Sequence, residues 1–189
     1  EQAEASLTGY AEGTRLLLDA ARQSRLTARG ALSSVLDVPA ELETAITAAL
    51  GDSLDAILVS SHSIEDAINL LEQGEGRAAI LPMDGNKPTQ QTFVPDDPDC
   101  IGMAASLIKA PDDLRMAVDM LLGTTLVVKD RPAARRLIIG SPAHARVVTL
   151  RGEVVRGDGR ILAGKAPGSG TLGRPRQRRE TQASLAGVA

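Results

Sequence analysis

The chain runs one short order of elements twice. Ala49-Leu50-Gly51, an apolar run and Ala67-Ile68 in one half answer to Leu121-Leu122-Gly123, an apolar run and Ala133-Ala134 in the other. Each half reads helix, Leu-Gly, strand, polar turn, helix. An ordered repeat of this kind predicts an internal duplication, with two similar small subdomains packed together. Each combines a mixed sheet with helices, so the expected class is α+β.

The materials for those cores are narrow. Of 189 residues, 43% are apolar but only 1% aromatic, with Tyr10 and Phe93 and no Trp. Leu, Ile, Val and Ala must fill the interior. A stacking platform for single-stranded nucleic acid needs several aromatic faces and is excluded on that ground. No stretch approaches the roughly eighteen apolar residues of a membrane span, and no basic start followed by an apolar run resembles a signal peptide. A lone Cys100 makes no internal disulfide and no Cys-rich zinc site. Two His residues are too few for a His-rich metal site. These features predict a soluble, intracellular protein without membrane contact.

Periodicity places the elements. Arg15 to Gln23 is helical through Leu16, Leu17 and Ala20, and residues 24–38 are a mixed stretch holding Gly30. Pro39 starts a helix where a missing N–H costs nothing. Leu42, Ala45, Ile46, Ala49 and Leu50 then recur at spacings of three and four, and Gly51 stops them. Leu54 to Val59 is a buried strand. Ser63 with Asp66 resembles a capping box ahead of Ile64, Ala67, Ile68 and Leu71. Residues 77–82 form another strand, and 83–99, rich in Pro, Asp, Gln and Asn, a long loop. The second half brings a helix from Pro111 to Gly123, a strand over Thr124 to Val128 and a short helix from Pro132 to Leu137. Arg146 to Leu150 and Glu153 to Arg156 are paired strands joined by Arg151-Gly152, and Ile161-Leu162 continues the strand pattern after Gly157-Asp158-Gly159.

Charge is divided unevenly along the chain. The net value of -3 conceals 9 Lys/Arg against 21 Asp/Glu in residues 1–130, and 12 against 3 in residues 131–189. The acidic part repels a phosphate polymer and the basic tail attracts one. Arg174, Arg176, Arg178 and Arg179 are the densest cluster. Either a solvated terminus or a salt-sensitive, sequence-unspecific polyanion contact accounts for it.

Catalytic constellations are missing. Residues 168–173 spell G-S-G-T-L-G, a literal dinucleotide fingerprint, yet Ala166-Pro167 precede it and Arg174-Pro175 follow, not a strand and a helix with a distant acid. No G-x-x-x-x-G-K-[ST] loop and no G-x-S-x-G elbow occurs. His62 and His144 fall in loops. Asp96, Asp97 and Asp99 beside Cys100 match no Ca²⁺ loop spacing, and Cys100 itself suits a buried small hydrophobe. The expectation is a non-enzyme without cofactor or metal.

The glycines after Arg156 ask for another explanation. Glycine weakens strands but lets a second backbone come close. Strand-like pieces interleaved with glycine either present an open edge to a second chain or form a plain linker. A self-complementary edge gives a two-fold dimer.

Taken in order, the residues resemble a known family, the hinge domain of structural maintenance of chromosomes (SMC) proteins, in its bacterial form. The matching pieces are Gly9-Tyr10 with Gly13, Ala45-Ile46 with Ala49-Leu50-Gly51, and Gly76-Arg77-Ala78 leading into Leu81-Pro82-Met83. Gly102-Met103-Ala104 and Leu121 to Val128 follow, then Arg146 to Val154, Gly157-Asp158-Gly159, Gly164 and Arg178-Arg179-Glu180. The resemblance covers roughly residues 9–180.

It implies a hinge domain over 9–175, with subdomain one at about 9–90, the loop 83–99 and subdomain two at about 100–175. Coiled-coil arm stubs would flank it at 1–8 and 176–189. It implies homodimerisation by pairing a strand of one subdomain with a strand of the partner's other subdomain. Ala79, Ile80 and Leu81 would lie on one interface strand; Gly157, Gly159 and Gly164 on or beside the other. Lys165 stands where the family usually has a second glycine, which bears on how tightly that strand packs. DNA-contact candidates by region are Lys165, Arg174, Arg176, Arg178 and Arg179, for weak, sequence-unspecific binding. ATPase heads would lie outside this chain, in a cytoplasmic, nucleoid-associated protein of chromosome condensation and segregation, with accessory subunits possible. Two other readings stay open: a phosphate- or nucleotide-binding α/β accessory domain, and a monomeric DNA-binding domain using the basic tail.

Overall fold

The computed structural model describes residues 10–84 and 94–164. These fall into two compact units, one of residues 10–35 and 52–84, the other of 36–51 and 94–164. The proposed arm stubs, the G-S-G-T-L-G stretch and the five basic DNA candidates lie outside the described residues.

In the first unit, helix α1 (Glu12–Arg22) leads to strand β1 (Ala28–Ala31) and the four-residue helix α2 (Leu32–Val35). After the second unit's excursion come strand β2 (Ile57–Val59), helix α4 (Ile64–Gln73) and strand β3 (Ile80–Pro82). The sheet order is β1-β2-β3, with β2 antiparallel to β1 and parallel to β3. The all-apolar run Ile57-Leu58-Val59 is buried throughout because it is the central strand. Leu17 and Ala20 of α1, Leu26, Ala31 and Ala67 close over it, and aliphatic burial of this kind contributes about 25 cal/mol per Å².

The second unit holds α3 (Glu43–Leu50), then β4 (Cys100–Met103), the four-residue α5 (Ala104–Leu107), α6 (Arg115–Leu122), β5 (Thr125–Val128) and α7 (Arg131–Ile138). Strands β6 (Arg146–Thr149), β7 (Val154–Arg156) and β8 (Ile161–Leu162) complete a sheet of order β4-β5-β6-β7-β8. Only β5 and β6 run parallel. Asp130 caps α7 by accepting from the Ala133 N–H, with Pro132 in the first turn, where its missing donor is harmless.

The duplication is sharper in three dimensions than in the sequence. Strand, short helix, 3-10 turn and helix begin at 28, 32, 40 and 43 in one copy and at 100, 104, 112 and 115 in the other, a constant offset of 72. Both first strands carry a register shift at a positive-φ glycine, Gly30 (φ 123°) and Gly102 (φ 146°). Both 3-10 turns follow a proline, Pro39 and Pro111.

Several expectations need correction. Residues 24–38, read as a mixed stretch, contain β1 and α2, and Cys100, expected as a buried small hydrophobe, is half-buried at the start of a strand. The strand expected at Leu54 starts only at Ile57, because Gly51–Asp55 winds as a 3-10 turn. Ser63 makes no side-chain cap bond, so the capping box does not form. Ile68 is exposed, leaving Ala67 as the one fully buried position of α4. Residues 36–51, assigned to subdomain one, pack with the second unit. There α3 lies against α6 and β6, which is why Ala45, Ile46, Thr47, Ala49 and Leu50 are all buried and the helix is not simply amphipathic.

Candidate functional site

Each sheet ends in two edges, and the edges differ. β1 and β4 are interrupted by their glycine bulges, a feature that twists an edge and discourages further pairing. β3 and β8 pair in continuous register on their inner sides and have no strand on their outer sides among the described residues. Both strands singled out from the sequence are therefore open edges.

On β3, the Ile57 N–H donates to the Ala79 carbonyl and the Met83 N–H to the Val59 carbonyl. Ala79 is exposed, Ile80 half-buried and Leu81 only 8% exposed. Leu81 thus anchors the strand while its neighbours reach the surface. On the other edge, Ile161 and Leu162 are 60% and 53% exposed. Adjacent residues on a strand point to opposite faces, so one of the two would be covered on an ordinary half-buried strand. Here neither is. The strand was readable from its residues; its double exposure was not.

The three glycines do three different things. A Cβ at Gly157 would sit 2.0 Å from the Pro142 carbonyl oxygen, so its close approach is to its own chain. Gly157 also donates its N–H to the Ala145 carbonyl. Gly159 (φ 89°) turns the β7–β8 hairpin in open space, and Gly164 (φ 107°) lies just beyond β8, likewise open. Asp158 fixes that hairpin by accepting from the Arg160 N–H at 3.0 Å and from its guanidinium at 2.6 Å. The Arg160 bonds hold the Asp158 carboxyl below its ordinary range.

A half-buried arginine organises the same sheet. Arg146 donates from Nη1 to the Ala49 carbonyl at 2.9 Å and from Nη2 to the Leu121 carbonyl. Those oxygens belong to the last turns of α3 and α6, where the backbone carries partial negative charge. Burial, and then the Arg156 charge, push Arg146 below the usual guanidinium value. Nearby, Glu153 accepts from the Thr149 hydroxyl and from Arg131 at 2.7 Å, which together lower its pKa. Sequence reading treated Arg146 and Glu153 only as strand residues. The signal available was a charge directly before a Val-Val pair in each case.

The other candidates resolve into structural roles. Asp97 and Asp99 meet Arg136 at 2.9 and 3.1 Å, and Asp99 meets Lys129 at 3.4 Å. Among the described residues no group of three His, Cys, Asp or Glu side chains is placed to hold a metal. His62 and His144 are exposed. Cys100 is half-buried on β4, and burial raises its thiol pKa. No described helix is long and apolar enough to cross a membrane.

Comparison with known proteins agrees with this layout. Residues 26–138 match the family described as SMC proteins flexible hinge domain. The chromosome partition protein Smc of Desulfitobacterium hafniense is 35% identical over 187 residues, covering 94% of this chain and 16% of that protein. Its Myxococcus xanthus counterpart is 30% identical over 165 residues, covering 84% and 14%. The chain thus spans about a sixth of the length of the curated relatives it matches. Among solved structures, an asymmetric dimer of the Geobacillus stearothermophilus SMC hinge domain superposes with a TM-score of 0.88 at 30% identity, covering 98% of this chain and 77% of that one. The Pyrococcus furiosus SMC hinge domain gives 0.67 at 26%, covering 87% and 85%.

Proposed function

Because the chain belongs to the SMC flexible hinge domain family, we propose that it joins two copies of a chromosome partition protein by strand pairing. The outer side of β3 in one copy would pair with the outer side of β8 in the other, and the reciprocal pair would close a two-fold dimer. The observation that carries this is β8, a regular edge strand whose Ile161 and Leu162 are both exposed. An apolar open edge left in water is an aggregation hazard, and pairing with a second copy removes it. The similar Geobacillus domain is described as a dimer.

Ala79, Ile80 and Leu81 then form one half of each interface and β8 the other. Gly159 and Gly164 flank β8 and leave its approach clear, while Gly157 supports the hairpin from within. DNA contact is a secondary part of the proposal, supported by the 12 Lys/Arg against 3 Asp/Glu in residues 131–189. Nucleotide hydrolysis would belong to other parts of the full-length protein.

The test is Ile161→Lys with Leu162→Lys. Both positions are exposed, so the monomer keeps its fold, and lysine on an edge opposes pairing. The double variant is expected to sediment as a folded monomer at micromolar concentration. A dimer as tight as the unmodified one would contradict the proposed edge.

A further inference from the structure

The edge strands Ile80–Pro82 and Ile161–Leu162 hold no charge themselves, but the segments that flank them differ in sign, and that difference bears on how copies choose their register. Residues 64–84, comprising α4, its exit and β3, hold five carboxylates (Glu65, Asp66, Glu72, Glu75 and Asp84) and one arginine, Arg77. All five carboxylates are exposed, and α4 packs against β3. Asp84, two residues past β3, is kept ionised by the Ser61 N–H, which donates at 2.8 Å and depresses its pKa. Residues 146–164, comprising β6, β7 and β8, hold four arginines and two carboxylates.

Both of those carboxylates are already engaged, Glu153 by Arg131 and Asp158 by Arg160. Arg156 has no such partner among the described residues. It faces Arg146 across the β6–β7 pair, and its buried Nε has no hydrogen-bond partner among the described residues. A half-buried guanidinium beside a like charge favours an acidic neighbour from outside.

We propose that the acidic β3 edge and the basic β8 edge recognise each other electrostatically in a second copy of this chain, so that charge selects β3–β8 pairing over β3–β3 or β8–β8. The inference rests on the dimer reading above and adds the rule that fixes which edges meet. Like-charge edges repel when brought together, while opposite ones steer the encounter and set the register. Neighbouring strands lie about 4.8 Å apart, so charges one strand from the pairing edge fall within the screening length of about 8 Å at physiological salt.

A charge swap tests it. One variant reverses the basic side at Arg156→Glu and keeps the Asp158–Arg160 pair that fixes the hairpin. The other reverses the acidic edge, Glu72→Lys with Glu75→Lys, at the C-terminal end of α4 where added positive charge suits the helix dipole. Each variant alone is expected to dimerise at least about tenfold more weakly than the unmodified chain. Mixed in equal amounts, they are expected to recover a heterodimer, because both of its interfaces again join opposite charges. Arg156→Gln, which leaves the Asp158–Arg160 pair of the hairpin in place, and a salt series on the unmodified dimer give the same answer without charge reversal: both should weaken association. Variants that dimerise like the parent, or a mixture that stays as monomeric as its components, overturn the inference and leave the dimer intact. A monomeric unmodified chain overturns the dimer reading itself and takes this inference with it.

Discussion

Asp37 and Lys109 exchange both backbone hydrogen bonds, the Asp37 N–H donating to the Lys109 carbonyl at 2.8 Å and the Lys109 N–H to the Asp37 carbonyl at 2.9 Å. The two residues are 72 positions apart, the offset of the duplicated elements. At this pair, equivalent positions of the duplicated sequence meet each other antiparallel. Ala49 and Leu121 stand in the same relation, and one guanidinium, that of Arg146, binds both of their carbonyls. The duplicated helices are joined at their C-terminal ends by a residue that has no duplicate role.

Loss of that guanidinium should be costly. Arg146→Met leaves two carbonyls in a part-buried site without their donors, and charged hydrogen bonds of this kind are worth about 1.5–3 kcal/mol. A destabilisation of about 2–4 kcal/mol is expected in urea unfolding. Arg146→Lys should recover less than half of it, because an ammonium lacks the planar fork that reaches two acceptors. Unchanged unfolding midpoints for both variants would show that the clamp is dispensable.

The glycines of the β7–β8 hairpin should separate by mechanism. Gly157→Ala drives a methyl into the Pro142 carbonyl, an overpacking cost of about 1–3 kcal/mol or more. Gly159→Ala meets no atom but must hold φ near 89°, a strain of about 1–2 kcal/mol. Thermal unfolding should rank Gly157→Ala as the more damaging. The reverse order would mean that backbone strain, not the close approach, dictates glycine there.

Acid should weaken the fold through Glu153. Its pKa is depressed in the folded chain by the Thr149 hydroxyl first and by Arg131 after it. A carboxylate with a lowered folded pKa contributes stability above its ordinary value of 4.5 and loses it as the pH falls through the folded value. Stability measured from pH 6 downward should therefore decline below about 4.5. Glu153→Gln should flatten part of that decline. A variant with the full slope would assign the acid sensitivity to other carboxylates.

Much of the fold was legible because its elements obey simple periods. Pro39 and Pro111, Gly51 and Gly123, and the apolar runs around them marked both helices and the interior strands β2 and β5. The hairpin Arg146 to Arg156 was readable from alternation and the Arg151-Gly152 turn. β1 and β4 were missed for a physical reason: a bulge at Gly30 and at Gly102 breaks the alternation that announces a strand. The placement of α3 with the second unit was also invisible, since local pattern records that a helix is apolar, not which neighbour covers it. At the candidate site, the strands over 77–82 and Ile161-Leu162 were readable from apolar runs and flanking turns, their interface role came only from the family resemblance, and both are sheet edges. The separate jobs of Gly157, Gly159 and Gly164 needed coordinates, because composition cannot tell a turn from a close approach.

The most direct check on strand pairing between copies is the mass of the unmodified particle in solution, by multi-angle light scattering or sedimentation equilibrium at micromolar concentration. Two copies joined through β3 and β8 predict about twice 19.7 kDa, with dissociation on adding Ile161→Lys and Leu162→Lys. A single species of 19.7 kDa across that range would contradict it.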